Sequence, residues 1–354
     1  MMRFLAREDL KGLLQMLGEE AQLIAPTSSD GVVLFRPIDD PDEVTLEYVN
    51  TVTSAKDFLF PQDEDILRFE SGDDGGLAID GIRPVEKRVL FGVRPCDAKG
   101  IDLLDEVFLT GQFRDDHYQD RRNNTVVVSM ACQEVADECF CTAVGLNPGA
   151  TDGSDVMLYP YQGGFVVVPV SHRGEAAVDT WQGLLTDIDS ETAQGAVQEY
   201  QEKSTPLGEA VDFSGITDSL ATMFESPVWE DLARRCLGCG VCTYVCPTCH
   251  CFGLSDEARG SQGYRLRCWD SCMFSDFTEM AGGHNPRPTK TERVRQRFMH
   301  KLNYHPNRYG QLLCTGCGRC VEKCPVGLHI VDAVLKIKAA QVEAAQAQTG
   351  EVSG

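Results

Sequence analysis

Cys236, Cys239, Cys242 and Cys246, followed by Pro247, and Cys314, Cys317, Cys320 and Cys324, followed by Pro325, are two copies of one run, CxxCxxCxxxCP. Thiolates at this spacing suit cubane iron–sulfur clusters. Three of them at intervals of three reach three irons of one cube from a single tight loop. The fourth, past a longer gap, points to the neighbouring cluster. The spacing therefore predicts two [4Fe-4S] clusters with crossed ligation: Cys236, Cys239, Cys242 and Cys324 on one, Cys314, Cys317, Cys320 and Cys246 on the other. Gly238 and Gly240 match Gly316 and Gly318 in the second run, where a missing Cβ lets backbone N–H groups approach the cluster sulfurs. Pro247 and Pro325 end the loops and are expected to shield the cubes, with Val241 and Val321 as apolar neighbours. Zinc would use two CxxC pairs and stop, so the third cysteine of each run, and the fourth before proline, have no place in a zinc site.

Eight further cysteines fall into two sets. Cys96 lies in a turn after one expected strand, and Cys132 follows another. Loops at the carboxyl ends of parallel strands are where open α/β domains gather ligands. With Cys139 and Cys141, these thiols are candidates for a third cubane; the alternative is that they are buried structural thiols. Cys249, Cys251, Cys268 and Cys272 are the rival third set, or packing around the first two clusters. His250, between Cys249 and Cys251, reads as a hydrogen-bonding neighbour rather than a ligand, and His284 as a turn residue. No glycine fingerprint for a dinucleotide or a nucleotide phosphate occurs, so the chain shows no site of its own for nicotinamide or ATP.

The 354 residues carry 32 Lys plus Arg against 54 Asp plus Glu, a net charge of −22, which repels phosphate backbones and argues against nucleic acid. Sixteen cysteines could belong to a secreted disulfide scaffold. However, charges interrupt the apolar positions of the opening residues, so no signal-peptide core is expected, and no run is long enough to span a membrane. A cytoplasmic, reducing compartment follows, where clustered cysteines mean metal more often than disulfide. One segment opposes the acidic trend: Arg287, Lys290, Arg293, Arg295, Arg297, Lys301 and Arg308, with only Glu292 against them. It reads as a solvated helix face, a docking surface, or compensation for anionic clusters.

The elements that must position these cysteines form two expected domains. Residues 1–205 read as a mixed α/β sheet domain, holding the possible third cluster. Strands are expected at Gly31 to Phe35, Thr45 to Val52, Val89 to Val93 and Thr125 to Met130, and a hairpin at Val156 to Tyr159 and Phe165 to Val170. A helix is expected over Lys99 to Leu109. The polar stretch 206–225 reads as a linker. Residues 226–354 read as a mainly helical dicluster ferredoxin domain, because the stretch between the cysteine runs is long enough for helices. A closing helix is expected over Val331 to Gln348.

Longer motifs add a resemblance. FGVRPCDAKGI (Phe91 to Ile101), the CFC at Cys139 to Cys141, RCLGCGVCTYVCPTCHCF (Arg235 to Phe252), WDSCMFSDFT (Trp269 to Thr278), AGGHNPRP (Ala281 to Pro288) and the closing CTGCGRCVEKCPVG together resemble three related proteins. These are the iron–sulfur β subunit of soluble NAD(P)-linked nickel–iron hydrogenases (sulfhydrogenases), the closely similar iron–sulfur subunit of anaerobic sulfite reductase, and the iron–sulfur subunit of flavin oxidoreductases that work with heterodisulfide reductase. The resemblance implies a non-catalytic subunit that accepts electrons from a flavoprotein binding FAD and NAD(P)H and hands them to a catalytic hydrogenase or reductase. It assigns no role to Cys268. Two other classes stay open: a catalytic subunit with a leftover cysteine set as a substrate-reducing centre, and a cluster-based redox sensor or scaffold.

Overall fold

The computed structural model describes residues 2–72 and 75–350. Its strands are β1 (Arg3–Ala6), β2 (Gln22–Ser29), β3 (Val32–Pro37), β4 (Asp63–Ser71), β5 (Leu77–Gly81), β6 (Arg88–Val93), β7 (Thr125–Met130), β8 (Val156–Tyr161), β9 (Gly164–Pro169), β10 (Leu185–Asp187), β11 (Phe252–Arg259) and β12 (Gln262–Trp269). Short stretches of alternating or continuous apolar character become the centre of an eight-stranded mixed sheet, in the order β10-β1-β9-β8-β7-β6-β2-β3. Within it, β2, β6, β7 and β8 pair in parallel. Strands β6 and β7 are buried along nearly their whole length, as parallel strands covered on both faces must be. Val89 and Phe91 face one core, Leu90 and Val93 the other. The expected hairpin forms between β8 and β9, where Gln162 and Gly163 both take positive φ, the geometry of a tight two-residue turn.

Two expectations for the first half of the chain change. Thr45 to Val52 is not a strand: apart from an isolated bridge between Thr27 and Val44, the stretch is irregular, and its backbone serves the cysteine sites. Cys96 does not sit in a turn but in the first turn of a helix, Pro95–Leu109. Pro95 at the first helical position, with its φ preset and no N–H to lose, starts that helix ahead of the apolar stripe that begins beyond Lys99.

The C-terminal region contains the helices Val228–Arg235, Lys290–Met299 and Ile330–Gly350 and short helical turns at Val241–Tyr244, His305–Tyr309 and Arg319–Glu322. It is not mainly helical as expected. The stretch between the cysteine runs contributes the long hairpin β11–β12, which joins β4 and β5 in a second sheet ordered β11-β12-β4-β5. The polar, charge-rich strands of this sheet, such as DEDILRFES in β4, carry no clear alternation and so give no strand signal in the sequence. The stretch 206–225 supplies Val211, Phe213, Ile216 and Leu220 to the same core as Trp229, Phe298 and Leu302.

A buried ionic knot locks the second sheet to the helix Asp116–Asn123. Glu64 on β4 meets Arg121 and Arg267, and Arg267 also reaches Asp115, the N-cap of the helix Asp116–Asn123. Removing one member of such a group leaves an uncompensated buried charge, at a cost of about 3–5 kcal/mol. Glu64→Ala is therefore expected to lower the thermal midpoint of the whole protein markedly. A midpoint indistinguishable from wild type would show that the knot contributes little.

Candidate metal centres

The first run starts where the helix Val228–Arg235 ends, with Cys236 leaving in extended conformation. The second starts beyond Leu313, whose N–H is held by Lys301 O. In both runs the paired glycines adopt left-handed φ: 69° and 75° at Gly238 and Gly240, 65° and 79° at Gly316 and Gly318. Each loop can then curl tightly enough for its cysteines to face inward. Backbone N–H groups turn toward sulfur: Gly238 N donates to Cys236 Sγ at 3.3 Å and Leu328 N to Cys324 Sγ at 3.2 Å.

Three cavities result. Cys236, Cys239, Cys242 and Cys324 line the first, of about 450 Å³, together with Pro325, Val241 and Arg297. Cys246, Cys314, Cys317 and Cys320 line the middle one, of about 320 Å³, with Pro247, Thr315, Gly318, Arg297 and Lys301. Cys96, Cys132, Cys139 and Cys141 line the third, of about 340 Å³, with Asn50, Glu134, Gly316 and Cys317. Each set of four grouped by sequence thus lines one space. Among the described residues, no three His, Cys, Asp or Glu side chains converge closely enough to hold a single metal ion. Four thiols around each of three adjoining spaces is a donor set that suits iron–sulfur clusters. All sixteen cysteines are free thiols.

The third cavity assembles as parallel pairing requires. Neighbouring β6 and β7 deliver Cys96 and Cys132 to the same end of the sheet. The loop bearing Cys139 and Cys141 is held by Phe140 N donating to Gly316 O at 2.9 Å and by Phe140 stacking on Phe213 at 5.7 Å. The second cysteine run presses on this loop so closely that a Cβ on Gly316 would lie 2.4 Å from Cys141 Cα, and one on Gly318 2.7 Å from Glu138 O. The glycines expected to make room for sulfur at these two positions thus also make room for another loop.

The rival set does not assemble. Cys268 is exposed on β12, paired with Gly253 and Asp63. Cys251 shares a hydrogen bond with Cys272 across the base of the hairpin, and Cys249 lies against Cys246. His250 Nδ1–H donates to Thr248 O, 3.0 Å away, and the ring packs edge-on to Phe108 and His300. Burial holds the His250 and His300 rings neutral, down to about 4 and about 3.

The basic segment resolves into separate roles. Lys290 Nζ bonds Cys236 O, Arg293 bonds Arg287 O and Pro288 O, and Arg295 caps Phe224 O and lies over its ring. Arg297 and Lys301 are buried, at 5% and 3% exposure. Lys301 Nζ reaches Cys246 Sγ at 3.4 Å, Thr248 Oγ1 at 2.7 Å and Leu313 O at 3.0 Å, and Arg297 Nη1 lies 3.8 Å from Cys249 Sγ. The neighbours that favour their charged forms most are cysteine sulfurs. A buried cation without an anion is costly. As bare thiols most of these cysteines would be neutral, since burial pushes Cys317 up to about 11 and Cys320 higher still. Cys246 is an exception, held down by a hydrogen bond from Cys249 and by Lys301 and Arg297. Metal-bound thiolates would supply the missing negative charge outright. Thr315 Oγ1, buried at the wall of the middle cavity with no partner, is a further donor whose acceptor would be a cluster sulfur.

Sequence reading missed several residues that hold these sites. Arg319, inside the second run, makes a two-pronged bond to Asp97, beside Cys96, at 2.6 and 2.7 Å, with a further bond to Thr51 O at 2.8 Å. Arg94 is buried and donates to Ala131 O and Leu46 O at 3.2 and 3.1 Å and also to Tyr48 O. Asn50 Nδ2 donates to Cys317 O at 2.6 Å. Lys56 donates to Cys249 O at 2.8 Å under the Trp269 ring. The available signal was a charged residue inside a run that must be buried, as at Arg94, Asp97 and Arg319, because such a residue needs a partner elsewhere. Two glycines of the motif around Cys96 answer to close approaches: Gly92 passes the Pro26 ring, and Gly100 lies where a Cβ would meet Pro247 Cβ at 2.6 Å.

Gly316→Ala forces both a disfavoured φ and a contact with backbone. It is expected to part the second run from the Cys139–Cys141 loop and to lower the iron retained per chain after anaerobic purification. Unchanged iron content would show that this close approach is dispensable.

A family model described as a 4Fe-4S dicluster domain matches residues 235–328, spanning both cysteine runs. Sulfhydrogenase 2 subunit beta of Pyrococcus furiosus is 33% identical over 324 residues, covering 91% of this chain and 94% of that protein. No solved structure matches the chain. Among the described residues no helix is long and apolar enough to cross a membrane. With a relative of that identity along nearly its whole length, and with a dicluster family model spanning both cysteine runs, the chain belongs to the family of iron–sulfur hydrogenase β-type subunits.

Proposed function

We propose that this chain is an electron relay, passing single electrons between a flavoprotein partner that binds FAD and NAD(P)H and a catalytic hydrogenase or reductase partner. The observation that carries this reading is the contiguity of three four-cysteine cavities. Arg297 lines both the first and the middle, and Cys317 both the middle and the third. Under this reading Cys236, Cys239, Cys242 and Cys324 hold one [4Fe-4S] cluster, Cys246, Cys314, Cys317 and Cys320 a second, and Cys96, Cys132, Cys139 and Cys141 a third. When bound, such cubes supply one-electron carriers.

This chain's own residues hold, insulate and charge-balance the sites. Pro247 is buried against Gly100, and Met273, Phe298 and Leu328 wall the first cavity from water. At its mouth Cys239 and Leu237 are exposed, which suits contact with a partner's redox centre. The name of the Pyrococcus relative favours a hydrogenase partner over a sulfite-reducing one. A reducing, cytoplasmic setting agrees with sixteen free thiols.

Anaerobically purified protein is expected to contain about twelve iron atoms per chain, four for each cube; about eight would remove the third site. Cys242→Ser is expected to abolish flavoprotein-dependent electron delivery to the catalytic partner while the large sheet stays folded by circular dichroism. Undiminished delivery in that variant would sink the relay.

A further inference from the structure

The three cavities differ in the charge built into their walls. Arg297 and Lys301 are four residues apart on one helical face, where a π-helical segment, His300–Tyr304, follows Lys290–Met299. Arg297 lines the first and middle cavities, whereas Lys301 lines the middle one alone. The middle cavity also holds the unpartnered hydroxyl of Thr315. At the third cavity Arg319 is already paired with Asp97, Arg94 donates to carbonyl oxygens, and Glu134 contributes an acidic residue to the wall. Formal wall charge therefore runs from one shared cation in the first cavity to two in the middle and near balance in the third.

We infer that the middle cavity is the electron well of this chain, its contents having the highest reduction potential of the three. The inference rests on the reading that the cysteines hold clusters. Each reduction adds one electron, and so one negative charge, to a cavity with no proton taken up. Lys301, at hydrogen-bonding distance from Cys246 Sγ, and Arg297, in the cavity wall, both favour that added charge, and a hydrogen bond from Thr315 to cluster sulfur acts in the same direction. Exposure at Cys239 works oppositely, by letting water stabilise an added charge in the first cavity. In the dry middle cavity the low dielectric that removes this solvation also strengthens the pull of both cations, so charge decides the order. An electron arriving from either end then rests in the middle, next to both exits, and the chain can hold one electron while a second arrives.

The test is an EPR-monitored redox titration of the full chain, purified without oxygen and reduced with dithionite. Lys301→Met is expected to move only the highest-potential wave, downward by at least a tenfold change in the reduction equilibrium, about 59 mV for one electron. Arg297→Met is expected to lower two waves, and Lys301→Arg to leave the top wave near its wild-type position. A Lys301→Met protein whose top wave is unmoved, or in which a lower wave shifts, overturns the inference. Should that variant lose iron, Thr315→Val decides, since it removes only the hydroxyl: a lowered top wave upholds the well, an unmoved one overturns it. Wild-type protein with no cluster wave at all would instead defeat the relay reading itself.

Discussion

The buried pair between Arg319 and Asp97 is the contact on which the arrangement of the cysteines turns. Arg319 stands between Cys317 and Cys320 of the second run, and Asp97 stands beside Cys96 at the start of the helix that follows β6. Both side chains are about 1% exposed. Two parallel N–H···O bonds between planar groups fix orientation as well as distance. A loop from the C-terminal region is thereby held at one position over the carboxyl ends of the parallel strands. Because removing either partner would strand the other charge in a dry site, the pair specifies this docking more firmly than an apolar contact of equal area would.

Around that pair the loops meet without side-chain bulk between them. Gly316 and Gly318 allow the second run to lie on residues 138–141, and Gly100 allows Pro247 to lie on the helix that carries Cys96. Asn50 and Thr51, from an irregular stretch of the first half, reach the carbonyl of Cys317 and the guanidinium of Arg319. The third cavity is thus shared between distant parts of the chain. The second sheet has the same character, since β4 and β5 precede the large sheet's central strands while β11 and β12 lie between the cysteine runs. The halves expected to be joined by a linker at 206–225 interlock through a sheet, a buried ion pair and a cavity wall.

Charge at the cluster sites follows one rule: cations are buried where cysteine sulfur is dense. The chain as a whole is acidic, with a net charge of −22, yet Arg297, Lys301, Lys56, Arg94 and Arg319 are all buried near cysteines. An anionic cluster in an anionic protein would otherwise repel each added electron, and buried cations relieve that locally while the surface keeps its solubilising charge.

Spacing alone was enough to group the cysteines that line the first and middle cavities, because the expectation of three thiolates at intervals of three and a fourth before proline on one cube needs nothing from the surrounding chain. The central strands were legible for a similar reason: β6 and β7 are buried on both faces and so are apolar throughout. The grouping of Cys96, Cys132, Cys139 and Cys141 was only a candidate, since it depended on β6 and β7 being parallel neighbours, a pairing that no local pattern encodes. The hairpin β11–β12 and the strands β4 and β5 went unread because exposed, charge-rich strands take their conformation from pairing partners far away in sequence. Likewise the run from Arg287 to Arg308 looked uniform as a string of charges; only the packed structure separates the surface members from Arg297 and Lys301, because burial is a property of the assembled chain and not of any residue in it.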